Sequence, residues 1–250
     1  MTLSSPLCRV GRKKPIQHVI KNISPKQFNK YVEPFVGSGD IYFIMDLDPS
    51  ISAVINDLDP EIISAFKILK RNPSIEGIDR FKNKSLEEVR SFVKQSHNSD
   101  IDKLAKIIYD LCGTFGSKGQ GNKIYKNPDI EPKLRKIPQY AEYMKNTKVL
   151  NQDYKSVIKS NDSKDTYFYL DPPYESSKGL YSKSVIDYNE LADVLSKVKG
   201  KFVLSLNDSP NIRNIFKQFK VRGIRVDKPQ DTMRESVGSH ARQEVIIKNF

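Results

Sequence analysis

The run Tyr167-Phe168-Tyr169-Leu170, closed by Asp171-Pro172-Pro173-Tyr174, constrains the fold more than any other stretch of the chain. Consecutive aromatic and apolar residues ending at a turn signal read as a buried strand. Two successive prolines have no N–H to donate, so the ladder must stop there. A carboxylate, a rigid backbone carbonyl and an aromatic ring are thereby presented together just past a strand end. In open α/β sheets, ligands bind in that crevice. Acceptors beside a stacking face suit a planar base held by its exocyclic amine. An Asp-Pro turn with a nearby tyrosine would carry the same letters, so other signals have to decide.

The rest of the chain supplies an α/β rhythm. Residues 31–36 read as a strand, followed by Gly37-Ser38-Gly39-Asp40 and a helix-like segment over 41–46. Residues 52–56 read as a second strand and residues 60–69 as a helix. Asp59 suits its cap, Pro60 and Glu61 its first turn, and Ile62, Ile63, Phe66 and Leu69 make one apolar face. Strand, turn, helix, strand in succession indicates a parallel sheet. The rhythm resumes with strands at 148–151 and 167–170, a helix around 188–198 and a strand at 201–206. It ends with strands at 221–226 and 245–250 on either side of a polar, basic loop.

The middle differs. Over residues 72–110 the periodicity is helical, through Leu86, Val89 and Val93 and then Leu104, Ile107, Ile108 and Leu111. Residues 113–123 contain four glycines and two lysines, which suits a loop or hairpin tip and cannot build a core. The expected organisation is one α/β domain made of residues 1–70 and 146–250, interrupted by a mainly helical insertion at 71–145.

Charge points to the partner. The formal net charge is +12 over 250 residues, and residues 67–150 hold 18 Lys and Arg against 10 Asp and Glu. A third of the chain thus carries +8 of the excess, which favours a polyanion over a general lysine bias. No stretch approaches the ~18 apolar residues of a membrane span. Pro6, Arg9, Arg12, Lys13 and Lys14 interrupt any signal-peptide apolar region. The two cysteines, Cys8 and Cys112, form neither a disulfide framework nor a zinc set. They fit an intracellular, reducing setting: cytoplasm, nucleoid, or the host cell of a virus. Three scattered histidines argue against a metal site.

Two glycines spaced by one residue after a strand permit a tight turn and close backbone approach to a ligand at a helix N-terminus. Tyr42 stands where a full dinucleotide fingerprint would place its third glycine, so a cofactor without pyrophosphate is expected. Asn56-Asp57 closes the next strand, 18 residues after Gly39, where an acid holds ribose hydroxyls in such folds. With Asp59 assigned to the helix cap, Asp57 is the ribose candidate. A glycine turn, a ribose acid and a strand-end Asp-Pro-Pro-Tyr suggest an adenosine-bearing cofactor beside a base-binding corner.

In these motifs the chain resembles the Dam-type (alpha group) DNA adenine-N6 methyltransferases. The resemblance runs through Gly11-Arg12-Lys13-Lys14-Pro15, Val32-Glu33-Pro34-Phe35-Val36-Gly37-Ser38-Gly39, Asn56-Asp57 and Asp171-Pro172-Pro173-Tyr174. Weaker echoes are Leu204-Ser205-Leu206-Asn207-Asp208 and the terminal strand Glu244–Phe250. It implies a Rossmann-like sheet, S-adenosylmethionine as cofactor, double-stranded DNA as partner and no metal. It also implies that the insertion recognises the target. Cofactor contacts would come from Arg9, Lys13, Glu33, Phe35, Gly37, Gly39, Asp57, Asp153 and Asp171. Catalysis would rest on Asp171, Pro172, Pro173 and Tyr174. The Asp171 carboxylate and the Pro172 carbonyl would accept the two amine N–H groups, and Tyr174 would stack on the flipped base. DNA contacts would come from Lys118 and Lys123 on the glycine-rich tip and from Arg234, His240 and Arg242 in the C-terminal loop. The chain departs from the family at Gly11-Arg12, where two glycines are usual, and at Arg9, near which an aromatic is common. It also lacks the Arg-x-Asn and Phe-Asn-Val-Pro strings of the family's recognition hairpin, so no target sequence transfers. The rival readings are an RNA or protein-amide methyltransferase and a non-catalytic DNA-binding relative. The sequence leaves oligomeric state open.

Overall fold

The computed structural model describes residues 3–9, 12–114, 123–174, 186–226 and 242–250. Its strands are β1 (Lys30–Glu33), β2 (Ser52–Asn56), β3 (Thr147–Leu150), β4 (Thr166–Leu170), β5 (Lys201–Asn207), β6 (Lys220–Val226) and β7 (Arg242–Lys248). They form one sheet in the order β3-β2-β1-β4-β5-β7-β6. β3, β2, β1, β4 and β5 run parallel, and β7 is antiparallel to both β5 and β6. This is the expected Rossmann-like α/β sheet.

Strand β4 is buried at all five positions, as its unbroken apolar run requires of a central parallel strand. Its successive side chains enter two different cores. Tyr167 and Tyr169 join Tyr31, Ala53, Ile55 and Val203 on one face. Phe168 and Leu170 join Val32, Val54, Phe202 and Leu204 on the other. The first face is covered by α1 (Gln17–Ile23), α2 (Asp40–Met45) and α3 (Pro60–Arg71), the second by α8 (Tyr154–Asn161), α9 (Tyr188–Ser196) and α10 (Pro210–Ile215).

The region between α3 and β3 is helical. It contains a 3-10 helix (Ile78–Phe81), α4 (Leu86–Lys94), α5 (Asp100–Gly113), α6 (Glu131–Leu134) and α7 (Ile137–Tyr143). Ser85 and Glu88 form a reciprocal capping box at α4, and Ser99 caps α5. Leu104, Ile108 and Tyr109 share the core that holds Phe43 and Phe66, so the inserted helices pack onto the first face of the sheet domain. Thr114 and Ile124 form an isolated antiparallel bridge.

Two expectations change. Strand β1 ends at Glu33 rather than at residue 36, because Pro34 has no N–H to extend the ladder. The cysteine count suggested no disulfide, yet Cys8 and Cys112 are joined across 104 residues. Packing of the N-terminal segment on α5 brings them together, and no local spacing could announce that.

Candidate active site

Strand order reverses between β1 and β4, which leave this point in opposite directions across the sheet. Such a switch point opens a crevice at the carboxyl ends of the strands. Glu33 ends β1, Asn56 ends β2 and Asp171 follows β4, so three motifs distant in sequence share one rim.

The glycine turn lies on that rim. Gly37 and Gly39 both have positive φ, +49° and +79°. Their surroundings differ. A Cβ on Gly39 would stand 2.8 Å from Phe66 Cζ, whereas one on Gly37 would meet nothing within 4 Å. Gly39 is therefore a packing glycine and Gly37 lines open space. The Gly37 amide donates to Asp57 Oδ2 at 2.9 Å, and the Asp59 amide donates to Oδ1 at 2.9 Å. Burial raises the Asp57 carboxyl above its ordinary range, while the two amides and Arg9 oppose the rise. Its neighbour Asn56 donates to the Pro34 and Gln152 carbonyls and accepts from the Gln152 amide. That side chain laces the motif after β1 to the loop after β3. Asp59 caps α3 through the Glu61 amide, as its position predicted.

The N-terminal segment crosses the same rim as a strap. Ser5 Oγ donates to the Ser38 carbonyl inside the glycine turn. Arg9 pairs with Asp59 at 2.5 Å, and Arg12 grips Asp40 with two nitrogens, Nε at 2.8 Å and Nη2 at 2.5 Å. Lys13 then reaches the corner after β4. Its side chain is 4% exposed, and Nζ lies 2.8 Å from Asp171 Oδ1 and 2.6 Å from the Tyr174 hydroxyl. The same ammonium stands 4.6 Å from the Tyr174 ring centroid. The sequence pattern made Arg12 only a departure from two glycines. In the fold it is the side chain that fixes the strap to α2.

Other groups brace the corner. Ser205 Oγ donates to Asp171 Oδ1 at 3.3 Å and shares a 2.9 Å hydrogen bond with the Tyr169 hydroxyl. The Tyr188 hydroxyl donates to the Pro173 carbonyl at 2.6 Å. With the prolines rigid and the Pro173 carbonyl held, the direction of the backbone through the corner is set. Tyr174 is itself 7% exposed and packs in the second core. Glu33, 2% exposed, accepts from the Tyr31 hydroxyl at 2.7 Å. Burial pushes its carboxyl well above the carboxylate range, and the nearby charges of Asp171, Asp40 and Asp57 add to the rise. Of these bracing residues, Ser205 lay in a weak sequence echo and Tyr188 in none.

The remaining expected residues are dispersed. Phe35 is partly buried against Tyr154, ring centroids 5.2 Å apart. Asp153 is exposed and caps α8 through the Lys155 amide, a local structural role. Lys123 Nζ lies 5.9 Å from the Tyr125 ring, and Arg90 donates to the neighbouring Ile124 carbonyl through two nitrogens. Arg242 was expected in the C-terminal loop and instead opens β7, paired with Val226. Lys118, Arg234 and His240 lie outside the described residues. No group of His, Cys, Asp and Glu able to hold a metal occurs among the described residues. No helix among them is long and apolar enough to cross a membrane.

Comparison with known proteins gives this arrangement a family. Residues 10–228 match the family described as D12 class N6 adenine-specific DNA methyltransferase. The Type II methyltransferase M1.LlaDCHI of Lactococcus lactis subsp. cremoris is 29% identical over 272 residues, which cover 96% of this chain and 93% of that protein. The Type II methyltransferase M.MjaIII of Methanocaldococcus jannaschii is 25% identical over 204 residues, covering 70% of this chain and 69% of that protein. Among solved structures, a precorrin-6y C5,15-methyltransferase from Geobacter metallireducens GS-15 superposes with a TM-score of 0.45 at 10% identity, over 97% of this chain and 92% of that one. The chain belongs to the D12 class of N6 adenine-specific DNA methyltransferases, enzymes that move a methyl group from S-adenosylmethionine to adenine N6 in DNA.

Proposed function

We propose that this enzyme is of the Dam type and methylates a specific site in double-stranded DNA, with the corner after β4 as its catalytic centre. The observation that carries the assignment is Lys13 Nζ bridging Asp171 Oδ1 and the Tyr174 hydroxyl at the sheet's switch point. The motif order supports the Dam type: N-terminal strap, glycine turn, inserted helices, Asp-Pro-Pro-Tyr. The Type II names of its relatives favour a place beside a restriction enzyme.

The residues on the rim fit S-adenosylmethionine. Gly37 borders open space, and the Asp57 carboxylate, two amides already on it, retains lone pairs for ribose hydroxyls. The Asp57 and Asp171 carboxylates favour a cationic group, and Glu33 stands on the same rim. When bound, the cofactor supplies a methyl group on a sulfonium, already an excellent leaving group. This chain's task is then to hold the acceptor. The adenine N6 lone pair is delocalised into the ring and is a poor nucleophile. The Asp171 carboxylate takes one N–H and the Pro172 carbonyl the other, drawing the nitrogen toward tetrahedral geometry. Orientation for in-line attack can lower such a barrier by up to ~7–11 kcal/mol. Tyr174 stacks on the base after it leaves the duplex, a contact of about 1–3 kcal/mol. Lys13 orients both side chains. Arg9, Phe35 and Gly39 shape the cofactor side of the crevice, and Asp153 borders it beyond β3.

The insertion at 71–145 reads the target, with Lys118 and Lys123 meeting phosphate or groove. Arg234, His240 and Arg242 contact the DNA backbone. The experiment is to express the enzyme and sequence the host DNA for N6-methyladenine, with Asp171→Ala as the paired variant. Wild type marks one short sequence; Asp171→Ala marks none, while cofactor or DNA binding partly survives. Full activity in Asp171→Ala, or methyl transfer to protein or RNA only, refutes the assignment.

A further inference from the structure

One buried acid beside the corner has no part in the mechanism above. Glu244 lies in β7, directly opposite Asn207 of β5 and Ile224 of β6. Its side chain is 5% exposed, and Oε2 stands 3.9 Å from Lys13 Nζ. Lys13 thus faces two carboxylates from different strands, Asp171 after β4 and Glu244 on β7, together with the Tyr174 hydroxyl. From this geometry we infer that Glu244 is a positioning residue for catalysis, a second counter-charge that shares Lys13 with Asp171 so that the Asp171 carboxylate stays available to the adenine amine.

The effect is electrostatic and rests on the roles given to Asp171 and Lys13 above. A buried ammonium facing one carboxylate forms a tight pair, and charge-assisted contacts of that kind are short and strong. Such a pair commits the carboxylate to the lysine. A substrate amine is a neutral donor and competes poorly for the same oxygens. A second carboxylate within ion-pair reach of the ammonium weakens its hold on Asp171 without removing it. Glu244 is well suited to this because β7 is antiparallel and approaches from the β5 side, away from the glycine turn. Ser205, the other donor on Asp171 Oδ1, also comes from β5, so the oxygen is held from the same side.

The test is a double-mutant cycle on the full chain, with kcat, the KM for S-adenosylmethionine, and calorimetric binding of S-adenosylhomocysteine as readouts. Glu244→Gln, nearly isosteric, is expected to lower kcat about tenfold while KM and S-adenosylhomocysteine affinity change less than about twofold. Glu244→Asp keeps the charge and should retain more turnover than Glu244→Gln. In a Lys13→Met background, Glu244→Gln should cost no further activity, because the charge it balances has gone. An unchanged kcat, an equal loss in both backgrounds, or a Glu244→Asp no better than Glu244→Gln overturns the inference. If Lys13→Met and Asp171→Ala themselves leave turnover intact, it is the catalytic reading of the corner that fails. Loss in those two with a silent Glu244→Gln isolates the failure to Glu244.

Discussion

The two glycines of Gly37-Ser38-Gly39 should fail in different ways when each is replaced by alanine. Both sit at positive φ, where an L-residue with a Cβ is disfavoured by about 1–2 kcal/mol. At Gly39 a second cost is added. The new methyl would stand 2.8 and 3.2 Å from Phe66 Cζ and Cε1, and 3.4 Å from Phe43 Cε2. Both rings are essentially inaccessible and belong to the first core, so neither can move aside freely. Overpacking of that kind costs about 1–3 kcal/mol, giving roughly 2–5 kcal/mol in all for Gly39→Ala. For a chain of this size that corresponds to a drop of roughly 5–15 °C in Tm. At Gly37 nothing lies within 4 Å of the added Cβ, so only the backbone term of about 1–2 kcal/mol applies. The methyl would instead project into the space assigned to the cofactor. Gly37→Ala should therefore keep most of its stability and lose S-adenosylhomocysteine affinity, roughly tenfold or more for a clash worth about 1.4 kcal/mol. Urea unfolding and isothermal titration calorimetry on the two variants separate the effects. Equal destabilisation of both, with cofactor affinity intact in Gly37→Ala, would refute the placement of the crevice.

Further outcomes follow from the same geometry. Glu33 has its folded-state pKa raised well above its ordinary 4.5, mainly by burial. Below that value both folded and unfolded states are protonated; above it the unfolded state ionises first, so wild-type stability falls as pH rises toward the folded pKa. Glu33→Gln, which keeps an acceptor for Tyr31, should match wild type near pH 4 and gain on it as pH rises above the ordinary glutamate range in calorimetric scans; a constant offset would contradict a carboxyl raised by burial. Reducing the Cys8–Cys112 bond, which closes a loop of 104 residues, should lower unfolding free energy by about 4–5 kcal/mol. Urea midpoints with and without a thiol reductant measure this, and coincident curves would mean that the pair does not constrain the unfolded chain.

Much of the fold was legible because its signals are local. The apolar run of β4, the Asp59-Pro60 start of α3, and the Ser52–Asn56 strand each declare themselves within a few residues. The corner after β4 was legible for the same reason: two prolines after a buried strand fix both its place and its shape. The helices α1 and α10, seven and six residues long, were not anticipated. Pieces so short have little intrinsic stability, and their apolar faces acquire meaning only against the sheet. Asp153 was legible only as an acid after a strand; that it also caps α8 through the Lys155 amide is seen in the fold.

The sequence by itself determined a parallel α/β sheet, a glycine turn, an acid after the second strand and an Asp-Pro-Pro-Tyr corner after the fourth, because residue order and backbone restriction specify all four. Only tertiary structure decided what those parts touch. Strand order set β1 beside β4, and the strap then brought Arg9, Arg12 and Lys13 to acids 28 to 158 residues away. The pairing of Lys13 with both Asp171 and Glu244 depends on β7 running antiparallel next to β5, a choice made by packing across the whole sheet. Charges interact through space and not along the chain, so no spacing rule could have supplied that contact.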